Sequence, residues 1–149
     1  YNCPGQVVIS GQLEAIERAM RLARQRGGKA VALQVSGPFH TPFMSPAAEG
    51  LRQALERVAF RDPRVPVVSN VEAKPNTSGQ RAKELLVKQL THPVRWEESV
   101  REMLRSGVEG FVEVGPGRVL CGLIRRIDRR VRLANVEDPQ GIRALEGWA

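Results

Sequence analysis

The sequence predicts an α/β fold in which helices cover a largely parallel sheet. Short apolar, β-branched runs alternate with longer segments whose apolar residues recur every three or four positions. This is the pattern of strands alternating with amphipathic helices. Gly or Pro stands at many of the junctions between these segments, where turns are expected. With 149 residues, the chain has the length of about one domain.

The first 36 residues fit a β-α-β unit. Residues 6–10 form an apolar, β-branched run closed by a glycine, so a strand followed by a turn is expected there. Over residues 12–26 the apolar side chains share one helical face and the charged ones lie opposite. A pair of glycines then ends the helix. Residues 30–35 are the second predicted strand.

The remaining elements follow a loop at residues 36–42, which holds one Gly and two Pro. Pro66 weakens the strand expected at residues 63–69, and residues 72–79 are polar and turn-rich. Any domain boundary would lie around residues 36–46. The other predicted elements are helices at 47–58, 82–90, 96–105 and 119–127, strands at 110–114 and 131–134, a tight turn at 115–117 and a helical tail from Pro139.

Composition and charge exclude several classes of protein. Lys and Arg number 23 against 16 Asp and Glu, and the mixed signs argue against a disordered tail. No window approaches the roughly 18 uncharged apolar residues of a membrane span, and no secretory pattern opens the chain, so a cytoplasmic location is expected. Cys3 and Cys121 show no disulfide or zinc spacing. The chain opens without Met and runs at once into a predicted strand, which indicates a start within a fold.

His40 is the first candidate for chemistry, because it lies in a loop between a predicted strand and a predicted helix. An imidazole there could act as a general base near neutral pH. The competing interpretation is a loop histidine bonded to a backbone carbonyl. His92 is interpreted as a loop residue, and no carboxylate-rich cluster accompanies either histidine, so no metal site is expected.

Two further features carry weaker hypotheses. The turn Gly115-Pro116-Gly117 precedes a predicted helix, where N–H groups can receive an anion or oxyanion, although a tight turn needs glycine for steric reasons alone. A run of arginines at 125–132 could dock an acidic partner or simply be a solvated helix face. Nucleic-acid binding is disfavoured because only seven aromatic residues are spread over the chain. The chain contains no Gly-X-Ser-X-Gly, Walker, Gly-X-Gly-X-X-Gly or His-Glu-X-X-His motif.

Four ordered motifs together resemble one known family. They are Asn-Cys-Pro-Gly-Gln-Val-Val-Ile-Ser-Gly at residues 2–11, Gly-Pro-Phe-His-Thr-Pro-Phe-Met at 37–44, Pro-Val-Arg-Trp at 93–96 with Ser99-Val100, and Glu-Val-Gly-Pro-Gly-Arg-Val-Leu at 113–120 with Gly122-Leu123. The sequence is similar over almost its whole length to the carboxy-terminal half of malonyl-CoA:acyl carrier protein transacylases.

The resemblance implies a ping-pong transfer of malonyl from coenzyme A to the thiol of acyl carrier protein through an acyl-serine. It implies that His40 is the catalytic base, oriented by the backbone carbonyl of Gln89 in Val-Lys-Gln-Leu. Phe39 occupies the position that favours malonyl over methylmalonyl, and Asn2 matches a residue near the pocket. Malonyl-CoA is then a substrate and no cofactor is implied. The implied partners are malonyl-CoA and acyl carrier protein, with neither nucleic acid nor membrane.

The family pattern also divides the chain and leaves part of the machinery unmatched. Residues 1–36 would end a ferredoxin-like small subdomain, and residues 37–149 would be the carboxy-terminal part of a hydrolase-like α/β domain. The family's Gly-His-Ser-X-Gly nucleophile, its malonyl-binding Arg and its Gln-containing oxyanion loop have no counterpart here. An amino-terminal half is therefore expected as a further partner, and this chain alone is predicted to be inactive. The alternative is a non-catalytic module that binds acyl carrier protein.

Overall fold

Helices and short strands make up the part of the chain that the computed structural model describes, which is residues 1–143, 145, 146 and 148, and the two alternate from residue 96 onwards. None of the helices in this part is long and apolar enough to cross a membrane. The helices are α1 (Leu13–Gln25), α2 (Ser45–Glu56), α3 (Gly79–Gln89), α4 (Trp96–Arg105), α5 (Val119–Ile127) and α6 (Pro139–Arg143), with a 3-10 turn at Pro42–Met44; the strands are β1 (Val67–Ser69), β2 (Lys74–Asn76), β3 (Gly110–Val114) and β4 (Arg132–Val136).

The strands form two separate pairs of opposite sense. β3 and β4 are parallel, with Gly110 opposite Arg132 and Val114 opposite Val136, and α5 connects them. β1 and β2 are antiparallel, because only four residues join them and a connection that short permits no parallel crossover. The expectation of a largely parallel sheet is therefore wrong for β1 and β2. β2 also forms in a segment where the sequence predicts a polar turn, because Lys74-Pro75-Asn76 offers no apolar alternation.

The predicted β-α-β unit keeps its helix but lacks its strands. α1 ends where Gly27, at φ +79°, allows N–H groups of the next residues to return to carbonyls of the last turn. Residues 7–10 and 30–35 form no strand among the described residues, and only an isolated bridge joins Cys3 and Gln6. A strand requires a hydrogen-bonded neighbour, and these segments have none in the described chain. Their apolar side chains stay exposed, Val31 at 66% and Val35 at 62%.

The core lies between α4 and α5 and includes the start of the chain. Cys3, Val100, Ile124, Ile127 and Val131 form one buried cluster. The backbone nitrogen of Tyr1 donates to the Val94 carbonyl at 3.0 Å, and the Arg126 guanidinium donates to the Gln6 side-chain oxygen at 3.0 Å. Residues 1–6 therefore pack with α4 and α5 as well as leading into α1.

The start of α3 is closely packed against a neighbouring loop, and a substitution there tests the packing. The N–H of Gly79 donates to Asp62 Oδ1 at 2.8 Å, and a Cβ on Gly79 would lie 2.5 Å from the Arg61 carbonyl oxygen. Gly79→Ala is expected to lower the free energy of unfolding by about 2–3 kcal/mol, since backbone atoms must move. Gly50→Ala in α2 is the matched control, because a Cβ there meets nothing within 4 Å.

Chemical denaturation measures both variants. Gly50→Ala is expected to raise the free energy of unfolding by about 0.5–1 kcal/mol, since alanine loses less backbone entropy in a helix. Equal effects of the two substitutions would contradict the packing described at Gly79.

Candidate active site

The loop that carries His40 is held by hydrogen bonds from hydroxyl groups. Thr41 Oγ1 donates to the Pro38 carbonyl at 2.6 Å, and Ser45 Oγ donates to the Pro42 carbonyl at 2.6 Å. His40 itself has φ +61°, in the left-handed region that non-glycine residues rarely occupy. Such backbone strain concentrates at functional sites, where the surrounding structure has to hold it. The loop therefore presents an exposed imidazole in a defined position.

The imidazole of His40 contacts the carboxy-terminal end of α3. Its Nδ1 lies 2.9 Å from the Gln89 carbonyl oxygen, although 49 residues separate the two along the chain. The last carbonyls of a helix have no partner within the helix, so Gln89 has an acceptor available. Because a carbonyl only accepts, Nδ1 is the donor of this bond, and in the neutral form of the ring Nε2 then has the lone pair. This bond is therefore compatible with both interpretations of His40, a loop histidine bonded to a carbonyl and an oriented base.

The side chain of Gln89 also lies at this contact. Its Nε2 is 3.1 Å from the His92 carbonyl, 3.5 Å from the Pro93 carbonyl and 3.4 Å from His40 Nδ1. His92 does not join His40 in a common site, because its Nδ1 bonds the Lys88 carbonyl at 2.9 Å. In the part of the chain that the structure describes, no three His, Cys, Asp or Glu residues are grouped to hold a metal ion.

An ion-pair network supports the same helix. Glu72, in the turn between β1 and β2, pairs with Arg81 at 2.6 Å and with Lys88 at 3.4 Å, both on α3. Burial alone would raise the pKa of the Glu72 carboxyl, but Lys88 and Arg81 together bring that pKa below its ordinary value. Arg95 donates to the Glu72 carbonyl at 3.1 Å. The network ties the end of α3, and so the Gln89 carbonyl, to the β1-β2 hairpin and the start of α4.

The structure places the other two predicted site residues apart from this contact. Phe39 is 45% exposed, and its ring lies beside Gly37, where an added Cβ would stand 3.8 Å from the ring. Asn2 is half-buried, and its N–H donates to the Gln6 carbonyl at 3.1 Å. Tyr1, next to Asn2, bonds both Val94 and the N–H of Glu97. Asn2 is therefore the chain neighbour of a residue that bonds the segment after Gln89, and its role stays a prediction.

The turn at 115–117 is not an open anion receptor in this structure. The carboxylate of Glu113 accepts hydrogen bonds from the N–H groups of Leu120 at 2.9 Å and Cys121 at 2.8 Å, at the start of α5. The N–H of Gly117 donates to Glu137 Oε2 at 3.0 Å. Two internal carboxylates thus occupy donors that an anion would need.

The steric interpretation of the glycines is correct, with Gly115 and Gly117 both at positive φ. The role of Glu113 could not be predicted from the sequence, where its only signal is a carboxylate shortly before a helix start.

Glu113 provides a pH-dependent test of this helix cap. Burial alone would raise the pKa of the Glu113 carboxyl, but the N–H groups of Cys121 and Leu120 outweigh burial and hold the pKa below its ordinary value. A lowered folded-state pKa stabilises the fold fully above the unfolded value near 4.3, and this stabilisation is lost as pH falls through the folded-state pKa. Glu113→Gln is expected to cost about 1 kcal/mol at pH 7, and this cost should be lost as the pH falls through the folded-state pKa of Glu113. A difference independent of pH would contradict the charged cap.

The arginine run around α5 is only partly free for a partner. Arg126 bonds Gln6 and the Pro4 carbonyl, and Arg132 lies 5.3 Å over the Trp148 ring. Arg130 pairs with Asp128 at 2.9 Å and, mainly through this side-chain bond, lowers the pKa of Asp128 to about 2. Arg125 also donates to the Arg129 carbonyl at 3.0 Å, so structural contacts account for four of the five arginines in this run.

The family described as "Acyl transferase domain" matches residues 1–137, and the chain belongs to this family. It is 47% identical over 142 residues to a malonyl CoA-acyl carrier protein transacylase of Bacillus subtilis, covering 95% of this chain and 45% of that protein. It is 44% identical over 145 residues to the protein of the same name from Escherichia coli K12, covering 97% and 47%.

Solved structures agree with these relatives. An MCAT from Streptococcus pneumoniae superposes with a TM-score of 0.91 at 40% identity, covering 100% of this chain and 49% of that one. A structure described as a type II PKS acyl-carrier protein in complex with its malonyl-transacylase gives a TM-score of 0.92 at 45% identity, covering 99% and 48%. The chain thus spans about half the length of the relatives it matches.

Proposed function

We propose that this chain takes part in transferring malonyl from malonyl-CoA to the phosphopantetheine thiol of acyl carrier protein, in fatty-acid synthesis. The observation that supports this most is the 2.9 Å contact between His40 Nδ1 and the Gln89 carbonyl oxygen. With Nδ1 engaged, Nε2 is the nitrogen available to accept a proton. The names of the relatives supply the substrates, and the cytoplasmic location predicted from the sequence stays part of this proposal.

His40 acts twice in the proposed reaction. In the first half, Nε2 takes the proton of a serine hydroxyl as its oxygen attacks the malonyl thioester, and the same proton passes to the departing coenzyme A thiolate. In the second half, Nε2 takes the proton of the carrier thiol, whose sulfur attacks the acyl-serine, and returns it to the serine oxygen. The Gln89 carbonyl orients the ring as a carboxylate does in a catalytic triad.

The nucleophile in this proposal comes from a segment outside these 149 residues. The sequence holds no Gly-X-Ser-X-Gly motif. The hydroxyl of Ser45, five residues after His40, already donates to the Pro42 carbonyl. We therefore assign the serine, the malonyl-binding Arg and the oxyanion loop to the part of the relatives that this chain does not match. In the same proposal, residues 1–36 end a ferredoxin-like subdomain and residues 37–149 belong to a hydrolase-like α/β domain.

Phe39 and Asn2 take secondary roles in this proposal. Phe39 directly precedes the base and is 45% exposed, so its ring is available to limit the size of the acyl group. Discrimination against one extra methyl is worth about 1–3 kcal/mol. Asn2 would line the pocket through the segment anchored at Tyr1. The net charge of +7 suits an acidic carrier protein as partner.

The test joins this chain to the part of the Bacillus subtilis relative that it does not match, giving what is called here the joined protein. Transfer of labelled malonyl from malonyl-CoA to holo acyl carrier protein is then measured. We expect turnover that needs both parts, whereas each part alone should give none. Carrier binding by a folded joined protein without any transfer would overturn the enzymatic proposal and favour a non-catalytic carrier-binding module.

A further inference from the structure

The side-chain amide of Gln89 is surrounded by acceptors. Its nitrogen lies 3.1 Å from the His92 carbonyl oxygen and 3.5 Å from the Pro93 carbonyl oxygen. The opposite orientation of the amide would place its own oxygen against these two oxygens, so the assignment of nitrogen to this side follows from the contacts. An amide nitrogen has two hydrogens. The two carbonyls therefore account for both donors of Gln89.

This arrangement decides which tautomer His40 adopts. His40 Nδ1 lies between two groups of the same residue, the Gln89 carbonyl oxygen at 2.9 Å and the Gln89 amide nitrogen at 3.4 Å. An Nδ1 without hydrogen would face the carbonyl with its lone pair, at the shorter of the two distances. An Nδ1–H satisfies the carbonyl, and the amide donors are already engaged elsewhere. The tautomer with hydrogen on Nδ1 therefore satisfies the hydrogen-bonding groups at this contact.

The turn after α3 leaves the Gln89 carbonyl free for this bond. The N–H groups of Leu90 and Thr91 return to the carbonyls of Val87 and Lys88 at 3.3 and 3.2 Å. The Gln89 amide then ties the end of the helix to the backbone at 92–93. Without these bonds, the last turn of α3 and the loop after it would no longer be held in a fixed orientation relative to each other. The direction of the Gln89 carbonyl would then no longer be fixed.

We propose that the Gln89 side chain is a positioning group which, by donating to the His92 and Pro93 carbonyls, directs its own backbone carbonyl at His40 and keeps the proton on Nδ1. The catalytic value of this role rests on the proposed function. The tautomer does not, because it is a property of the imidazole in the resting protein. The Gln89 side chain touches no reacting atom in this proposal and acts only through His40.

The tautomer is measured by ¹H–¹⁵N correlation spectra of the two imidazoles at about pH 8.5, where histidine is ordinarily neutral. The chain has two histidines, so the spectrum of a His40→Asn variant assigns each signal. The wild type is expected to show His40 with hydrogen on Nδ1. Gln89→Met keeps the length of the side chain but removes both donors, and the Nδ1–H pattern of His40 should be lost. Gln89→Leu serves as a second variant with the same expectation.

Gln80→Met is the matched control, an exposed glutamine in the first turn of the same helix. It should leave the His40 signal unchanged. An unchanged Nδ1–H pattern in a folded Gln89→Met or Gln89→Leu would overturn the proposal, as would its loss in the Gln80 control. In the joined protein, Gln89→Met is expected to lower kcat about tenfold with little change in KM, since a misoriented base slows the chemical step. If the joined protein were inactive, the spectra would still decide the tautomer.

Discussion

Replacing His40 by Asn in the joined protein is expected to lower kcat/KM for malonyl transfer by at least about 100-fold. Both halves of the proposed reaction need a group that takes a proton and returns it, and general acid–base catalysis contributes about 10²–10⁴ in rate. An Asn side chain provides no such group at neutral pH. Steady-state transfer of labelled malonyl to acyl carrier protein measures the loss.

Asn is chosen because the backbone at position 40 limits the substitutions that are informative. His40 has φ +61°, a region that Asn tolerates better than most residues. The thermal unfolding midpoint of His40→Asn should therefore stay within a few degrees of wild type, so the lost activity reports chemistry and not folding. A folded variant that retains more than about a tenth of wild-type kcat/KM would show that His40 is not the base.

The chain on its own is expected to gain no covalent malonyl from malonyl-CoA. His40 offers a base, but the described residues place no serine hydroxyl in hydrogen-bond contact with its ring. Base and nucleophile within such reach are required for an activated serine. Intact-mass measurement after incubation with excess malonyl-CoA should give the unmodified mass.

The joined protein is the positive control for this second prediction. It should acquire one malonyl group per molecule, and its mass should return to the original value when holo acyl carrier protein is added. Stoichiometric labelling of the 149-residue chain alone would contradict the assignment of the nucleophile to a different segment.

The carboxy-terminal elements could be predicted because local pattern and tertiary structure agree there. The bounds of α4, β3 and α5 were predicted without error, each from a run of apolar residues with one clear period. β4 and α3 differed by a few residues at their ends, which is usual for element termini. In these segments the buried side chains pack against other parts of the described chain. The apolar pattern in the sequence therefore corresponds to contacts that the structure contains.

The first 36 residues show where such prediction stops. Residues 6–10 and 30–35 have the composition of strands, but pairing is a property of two segments and not of one. The prediction failed in the opposite way at β2. Lys74-Pro75-Asn76 has poor strand propensity, but it pairs because the hairpin turn brings it beside β1. Ala73 lies in that turn at φ +53°, and the sequence contains no signal that predicts this conformation.

The candidate site was partly accessible from the sequence. The loop position of His40 followed from its neighbours, whereas its contact with Gln89 spans 49 residues and was expected only from family resemblance. The Gln89 side chain and the Glu113 cap were missed, because each depends on where a helix end lies relative to a distant backbone. Side chain to backbone bonds of this kind leave no periodic signal.

Acyl-enzyme formation in a single turnover tests most directly whether this chain supplies the base for malonyl transfer. The joined protein and its His40→Asn variant are mixed with malonyl-CoA, quenched at successive times and weighed by intact mass. Rapid formation of the malonyl-enzyme is expected in the first, and a rate at least about 100-fold lower is expected in the second. Equal rates of acylation in the two proteins would show that His40 is not the base.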